Sequence, residues 1–157
     1  MDANVNAITI RHARRNDLPA LVQMFADDAL GGHGDTTDPK ALGEYLAAFE
    51  RIQASANDTL YVAEMDGTIV GTFQTTVLTS LPGRGRSSLL VEAVQTRTDR
   101  RGQGIGEIML RFAIDQARHM GLAKVQLTSN AIRTDAHRFY KRLGFEASHL
   151  GFKLHLK

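Results

Sequence analysis

Apolar residues recur at helical spacing in two segments near the start of the chain, and each segment follows a residue type that favours a helix start. In the first segment they are Leu18, Leu21, Val22, Phe25 and Ala29, and in the second Leu42, Tyr45, Leu46, Phe49 and Ile52. Positions three and four apart share one face of a helix, so both segments predict amphipathic helices. Asn16-Asp17 and Asp38-Pro39 supply the expected N-terminal signals.

Shorter runs rich in β-branched residues predict strands before, between and after these helices. They cover residues 8–11, 60–65, 68–79, 88–94 and 124–128, and the tail over residues 147–156 predicts a last strand or two. Asp66-Gly67 between two of these runs is a strong signal for a two-residue hairpin. Two further helices are predicted over residues 104–120 and 135–143, so the pattern indicates a mixed sheet flanked by helices.

Composition narrows the class of protein without naming it. The 157 residues are 43% apolar and carry 19 basic against 17 acidic side chains, a net charge of +2. This size and balance predict one domain over residues 1–157, with neither a nucleic-acid nor a membrane partner. There is no cysteine, and the six histidines lack metal-ligand spacing, so we expect no metal. The chain shows no signal peptide or apolar span, from which we expect a cytoplasmic location.

A glycine-rich turn between a predicted strand and a predicted helix is the first chemical signal. It reads Arg101-Gly102-Gln103-Gly104-Ile105-Gly106-Glu107. Such a turn aims free backbone N–H groups outward at the positive end of the helix dipole, which suits a pyrophosphate. The segment lacks the Gly-Lys-Ser/Thr of a P-loop, and Glu107 stands where a dinucleotide fingerprint needs glycine. An ordinary glycine-rich turn is the alternative interpretation.

A second block follows after a strand that ends near Asn130. It reads Ala136-His137-Arg138-Phe139-Tyr140-Lys141-Arg142-Leu143-Gly144-Phe145. With Arg101, Gly104 and Gly106, this block resembles the GNAT superfamily of N-acetyltransferases in motif, order and spacing, and the resemblance extends over essentially the whole chain. Bacterial members that act on small amines, including aminoalkylphosphonate acetyltransferases, have a similar but looser run. The resemblance implies an α+β fold with a mixed, mostly antiparallel sheet of six to seven strands and about four helices.

The same resemblance implies acetyl-CoA as co-substrate and assigns residues to it. The backbone of Val94, Gln95 and Thr96 is expected to pair with the pantetheine arm, and Asn130 to lie near the pantetheine amides. The pyrophosphate is expected at Arg101, Gly102, Gln103, Gly104, Ile105, Gly106 and Glu107. For Asn130 the alternative is a simple turn residue.

Two side chains are candidates for the chemical step. The resemblance places the hydroxyl of Tyr140 at the thioester sulfur, where a phenol can protonate the leaving thiolate. Glu92 interrupts an apolar strand; burying a carboxylate there would be costly, which hints at a role as the base that deprotonates the amine. The alternatives are a core aromatic for Tyr140 and a solvent-facing strand residue for Glu92.

The expected reaction is acetyl transfer to a primary amine, with a small-molecule acceptor preferred because the loop over residues 31–38 would narrow the entrance. Asp27, Asp28, Asp35 and Asp38 border that entrance and could attract a cationic amine. A protein or peptide N-acetyltransferase and a non-catalytic acyl-CoA sensor are the alternatives. Oligomeric state stays open, with a homodimer as the commonest assembly of such chains.

Overall fold

The computed structural model describes residues 7–28 and 33–157. Its strands and helices, in chain order, are β1 (Ile8–His12), α1 (Leu18–Ala26), α2 (Leu42–Ala54), β2 (Asp58–Met65), β3 (Thr68–Thr79), β4 (Ser87–Thr96), α3 (Ile105–His119), β5 (Val125–Gln126) and α4 (Thr134–Arg142). Short 3-10 turns precede α1, α2 and α3. This order is the predicted one except at the C-terminal end.

The sheet has the strand order β1-β2-β3-β4-β5. The first four strands are antiparallel neighbours, and β5 alone joins its neighbour β4 in parallel. The predicted α+β class and mostly antiparallel sheet are therefore confirmed. The described part of the chain has five strands rather than six or seven, because residues 146–157 form no ladder.

Hydrogen bonds between charged side chains and the backbone fix the chain at the start of the first helix. The Asp17 carboxylate accepts the Arg14 N–H at 2.7 Å and two hydrogen bonds from the Arg11 guanidinium, at 2.8 and 3.0 Å. Arg11 also donates to Glu64 at 2.7 Å, which ties β1 to β2. Hydrogen bonding from Arg11 lowers the pKa of the buried Asp17 carboxyl below its ordinary value. At the second helix Asp38 accepts the Lys40 N–H at 3.0 Å, as an N-cap should.

Apolar side chains fill a core on each side of the sheet. Helix α3 covers one side with Ile105, Met109 and Leu110, each at most 1% exposed. Helices α1 and α2 cover the other side, where the main buried residues are Leu21, Met24, Phe49 and Val62. None of the helices in the described ranges is long and apolar enough to cross a bilayer.

Candidate active site

Strands β4 and β5 separate soon after they meet. Their parallel pairing consists of Leu89 with Val125 and Leu90 with Gln126, whereas β4 continues to Thr96. Beyond Leu90 the backbone of β4 therefore faces β5 without a strand partner on that side. The divergence opens a cleft whose wall is an unpaired strand edge, onto which an extended ligand can add hydrogen bonds.

A β-bulge marks the point of divergence. Gln74 of β3 pairs with Glu92, and Thr72 pairs with Gln95. Two residues of β4, Ala93 and Val94, therefore lie opposite one residue of β3, Phe73. Ala93 has a φ of 53°, in the left-handed region that non-glycine residues rarely adopt. Bulges bend a strand and re-aim its side chains, and they are frequent beside active sites.

The bulge changes which residues of β4 face the α3 core. Val91 is buried in that core, and Val94, three positions later rather than two, packs against it. Glu92, next to the bulge, is exposed. Its carboxylate therefore carries no burial cost, and only its position beside the cleft supports a role as the base.

Gln95 turns toward α1 and connects the cleft to the acidic segment of the chain. Its Nε2 donates to the Asp28 carboxylate at 2.6 Å. The other predicted acidic residues have local partners: Gln23 donates to Asp27, the Tyr45 hydroxyl donates to Asp35, and Lys40 N–H donates to Asp38. Asp28 is thus the aspartate of this segment that the structure links to β4. Residues 31 and 32 of the predicted entrance loop lie outside the described residues.

The N-terminus of α3 lies just beyond the end of β4. Gly104 precedes the helix with a φ of 84°, and no described side chain caps it. The first helical hydrogen bond runs from Ile108 N–H to the Gly104 carbonyl, so the N–H groups of Ile105, Gly106 and Glu107 precede the helical ladder. A pyrophosphate fits this donor set, because no hydrogen bond among the described residues engages these N–H groups and the helix dipole favours negative charge.

Several charged side chains around this turn form ion pairs with each other. Arg97 binds Asp99 at 2.6 Å, and Glu107 accepts from Arg111 at 2.8 Å along α3. Glu107 can therefore bind an anion only through its backbone N–H. Arg101 is exposed, and within the described ranges no ion pair engages it. Gln103 is half-buried and Gly102 exposed in the same turn.

Helix α4 closes against this turn and carries Tyr140. A Cβ placed on Gly106 would lie 3.5 Å from the Phe139 ring and 4.0 Å from the Thr96 hydroxyl oxygen. The α3 turn, β4 and α4 therefore meet at one point. The Tyr140 ring lies 5.3 Å from that of Phe139 and 6.0 Å, edge-on, from that of Phe145.

The Tyr140 hydroxyl is set up to stay protonated. Burial raises the pKa of Tyr140 above its ordinary value, and the positive charge of Arg133 opposes this weakly. No group among the described residues hydrogen-bonds to the hydroxyl. The Tyr140 ring also packs against the α3 core. The ring therefore has a packing role, while the O–H remains available as a hydrogen-bond donor.

Asn130 makes the hydrogen bonds that are expected of a turn residue. Its Oδ1 accepts the Ile132 N–H at 3.1 Å, and its carbonyl contacts Nε2 of His137 at 2.8 Å. These bonds hold the start of the loop that leads from β5 to α4. Nothing in this arrangement tests the predicted contact with pantetheine. Within residues 7–28 and 33–157, no group of three metal-ligating side chains comes together.

Comparison with known proteins decides the family. The profile of the acetyltransferase (GNAT) family matches residues 18–145. The chain belongs to this family. The match spans both predicted motifs and all the elements that form the cleft, so the predicted resemblance is confirmed.

Individual relatives agree with this assignment. The crystal structure of a transcriptional regulator from Bacillus halodurans is 40% identical, superposes with a TM-score of 0.91, and covers 95% of this chain and 99% of its own. Aminoalkylphosphonate N-acetyltransferase of Salmonella typhimurium is 46% identical over 52 residues, 33% of this chain and 34% of that enzyme. N-acetyltransferase family 8 member 2 of Rattus norvegicus is 28% identical over 111 residues, 68% of this chain and 47% of that protein. These two matches thus span about a third and a half of the relatives' lengths.

Two features of the site escaped sequence reasoning. The sequence analysis does not predict the bulge at Ala93, although the change of apolar spacing from Leu89 and Val91 to Val94 indicates it. The bond from Gln95 to Asp28 had no signal, because the two residues are 67 positions apart and meet only through the packing of α1 on β4.

Proposed function

We propose that this protein transfers the acetyl group of acetyl-CoA to a primary amine of a small molecule. One arrangement carries the proposal: the unpaired edge of β4 leads directly to the uncapped N-terminus of α3. An extended arm that ends in a pyrophosphate needs a strand edge followed by an anion site, in that order. Membership of the acetyltransferase family supports the same donor.

Each part of the donor has candidate partners on this chain. Backbone groups of Val94, Gln95 and Thr96 would bind the pantetheine arm. The turn from Arg101 to Gly104 and the first N–H groups of α3 would bind the pyrophosphate, with Arg101 adding a positive charge. Asn130 lies at the end of the segment that follows β5 and keeps its side-chain NH2 for the pantetheine amides.

Glu92 is the proposed base. An amine acceptor is largely protonated at neutral pH and must lose a proton before its nitrogen can attack the thioester carbon. Glu92 is solvent-accessible on β4, next to the bulge, and the Gln95–Asp28 pair lies three residues further along the same strand. Its carboxylate can accept the proton directly or through water.

Tyr140 is the proposed acid. As the C–N bond forms and the C–S bond breaks, the sulfur gains the electron pair and needs a proton. A phenol whose pKa is raised by burial remains protonated at neutral pH, and the Tyr140 O–H has no competing partner among the described residues. The protonation state of Tyr140 thus suits donation to the thiolate.

The acceptor is proposed to be small and cationic. The carboxylates of Asp27 and Asp28 at the end of α1 provide negative charge near β4. The similarity to an aminoalkylphosphonate N-acetyltransferase lies within a third of this chain and gives one compound class to test. A protein or peptide acceptor would instead need an open groove across the same face.

A turnover assay with acetyl-CoA tests the proposal. The panel contains aminoalkylphosphonates, polyamines, amino acids, aminoglycosides and lysine peptides, with released thiol as the readout. We expect one small-amine class to be acetylated far faster than the peptides. Preference for peptides would favour the protein acetyltransferase, and acetyl-CoA binding without any turnover would overturn the enzymatic proposal.

A sensor that binds acyl-CoA without turnover is the second candidate function. It is favoured by the 40% identity to a protein described as a transcriptional regulator. The retained Tyr140 hydroxyl and Glu92 carboxylate argue against it, because a sensor needs neither. Calorimetry with acetyl-CoA alongside the turnover panel separates the two.

A further inference from the structure

Helix α4 carries its charged side chains in two different environments. Asp135, Arg138, Lys141 and Arg142 are exposed, and Asp135 forms an ion pair with Arg138 on that side. Arg133, at the N-cap position of the helix, is half-buried instead. One cation of this segment is therefore partly withdrawn from solvent, whereas the other charges remain in it.

Helical spacing places Arg133 on the same side of α4 as Tyr140. His137 follows Arg133 by four residues and Tyr140 by seven, and positions at this spacing share one face of a helix. His137 and Tyr140 are half-buried like Arg133. Helical side chains tilt toward the helix N-terminus, so the Tyr140 ring leans in the direction of Arg133.

Hydrogen bonds fix the backbone from which the Arg133 side chain extends. The Arg133 N–H donates to the Asn130 carbonyl at 3.0 Å, and Nε2 of His137 contacts the same oxygen at 2.8 Å. The Arg133 carbonyl in turn accepts the His137 N–H at 3.2 Å. The start of α4 is thus held to the loop that precedes it, and the side chain extends from a defined position.

The Arg133 guanidinium has no carboxylate partner. Among the described residues, no ion pair and no side-chain hydrogen bond engages it. A cation that is partly removed from water is stabilised by a negative charge nearby. Its effect on Tyr140 supports the geometry: burial raises the pKa of Tyr140, and the positive charge of Arg133 acts in the opposite direction because it favours the phenolate.

The proposed acetyl transfer requires such a charge, and the following inference rests on that proposal. When the C–N bond forms and the C–S bond breaks, the sulfur takes the electron pair and then the Tyr140 proton, which leaves a phenolate. Burial makes this phenolate costly, since low-dielectric surroundings disfavour charge. We propose that Arg133 is a positioning residue that acts through Tyr140 and stabilises the phenolate formed when the hydroxyl gives its proton to the leaving sulfur.

The protons balance over one turnover. Glu92 accepts the proton that the amine nitrogen loses, and Tyr140 supplies the proton that the sulfur gains. Glu92 then releases its proton to water, and the Tyr140 phenolate takes one from water. Arg133 gives up no proton in this sequence and contributes only its charge. Lysine should therefore replace it in part, whereas glutamine should not.

Titration of Tyr140 in the ligand-free protein tests the electrostatic contact without any turnover. The signals of ¹³Cζ-labelled tyrosine are followed by NMR over the pH range in which circular dichroism shows a folded protein. Tyr140→Phe identifies the relevant signal among the three tyrosines. We expect Arg133→Gln to raise the pKa of Tyr140 above its wild-type value, and Arg133→Lys to retain most of the wild-type behaviour.

Arg138→Gln is the matched control, because it removes the same charge from the exposed side of α4. It should leave the titration of Tyr140 unchanged. Equal titration curves for Arg133→Gln and the wild type would overturn the proposal, and so would equal effects of Arg133→Gln and Arg138→Gln. Should Tyr140 not titrate before the protein unfolds, the kinetic measurement decides.

The kinetic measurement is a double-mutant cycle between Arg133 and Tyr140. Arg133→Gln should lower kcat about three- to tenfold, because one charge at this range is lost, while the KM for acetyl-CoA changes less than about twofold. In the Tyr140→Phe background it should have no further effect, since no phenolate forms there. Additive losses would overturn the proposal, as would a raised KM for acetyl-CoA with kcat unchanged.

The same cycle separates failure of this inference from failure of the proposed mechanism. If Tyr140→Phe lowers kcat and Arg133→Gln does not, Tyr140 remains the acid and only the role of Arg133 is refuted. If Tyr140→Phe keeps the wild-type kcat, the acid itself is refuted, and the role of Arg133 with it. Arg133→Met, which keeps the length of the side chain, replaces Arg133→Gln should that variant fail to fold.

Discussion

In the first part of the molecule, β2 pairs with β3 from Asp58 to Met65, and β3 continues against β4 along its length. In the last part, β5 meets β4 at two residues, and α4 has no fully buried residue. Both parts contain strong apolar patterns. They differ in how many neighbours each element has within one chain.

This difference in pairing determines where the site can form. A strand that is paired on both sides has no free backbone N–H or C=O groups that could bind a ligand. The cleft arises where β4 runs past its last pair with β5, and the turn before α3 lies at its end. The well-packed strands thus act as the scaffold, and the loosely joined edge holds the candidate chemistry.

The largest expected effect compares equal truncations in the two parts. Leu110→Ala, in a fully buried position of α3, should lower the free energy of unfolding by about 3–5 kcal/mol. Leu143→Ala, half-buried after α4, should cost about 1–2 kcal/mol because less apolar area leaves the core. Urea denaturation of both variants at one protein concentration measures the gap, and equal losses would erase the distinction between the two parts.

Tyr140→Phe tests whether the last part of the molecule, with β5 and α4, carries the chemical step. The change removes one oxygen and keeps the ring, so packing should barely alter. Loss of a positioned acid should lower kcat by at least ~10², while the Kd for acetyl-CoA moves less than about threefold. An unchanged kcat, with chemistry shown to be rate-limiting, would leave Tyr140 as a packing residue only.

Glu92→Gln separates the base from the acid. Turnover should fall most at low pH, where the amine acceptor is protonated and depends on a proton acceptor. At high pH the free amine is abundant, so the variant should approach the wild-type rate. A loss that does not vary with pH would point to a binding contact rather than to proton transfer.

Asp17→Asn probes the well-packed part through its charge network. Because the pKa of Asp17 is lowered in the folded protein, its contribution is full above its ordinary unfolded value and fades as pH falls through the folded pKa. We expect a loss of about 2 kcal/mol near pH 7 that shrinks in acid. Asp115→Asn, which removes an exposed pair with Arg118, is the control and should change stability by less than about 0.5 kcal/mol.

Gly104→Val tests donor binding at the turn before α3. A φ of 84° strains valine and distorts the turn before α3, so acetyl-CoA affinity should fall at least ~10-fold. Gly121→Val imposes similar strain at the other end of α3, where φ is 69°. Calorimetry that shows equal losses for both would locate the defect in the helix and not in the anion site.

Local sequence signals determined much of this protein. Asp38-Pro39, Asp66-Gly67 and Gly104 mark a helix start, a hairpin and the turn before α3, because their backbone preferences act over a few residues. The two motifs, around Gly104 and Tyr140, indicated the family for the same reason: each lies within a short segment whose spacing can be read directly.

Tertiary structure decided what depends on distant partners. The exposure of Glu92, the bulge at Ala93 and the bond from Gln95 to Asp28 follow from how β4 sits between β3, α1 and the diverging β5. The alternation in residues 150–156 predicts a strand, but a strand needs a neighbour to pair with, and no ladder among the described residues includes this segment. Periodicity specifies which side chains share a face, and only packing specifies what lies against that face.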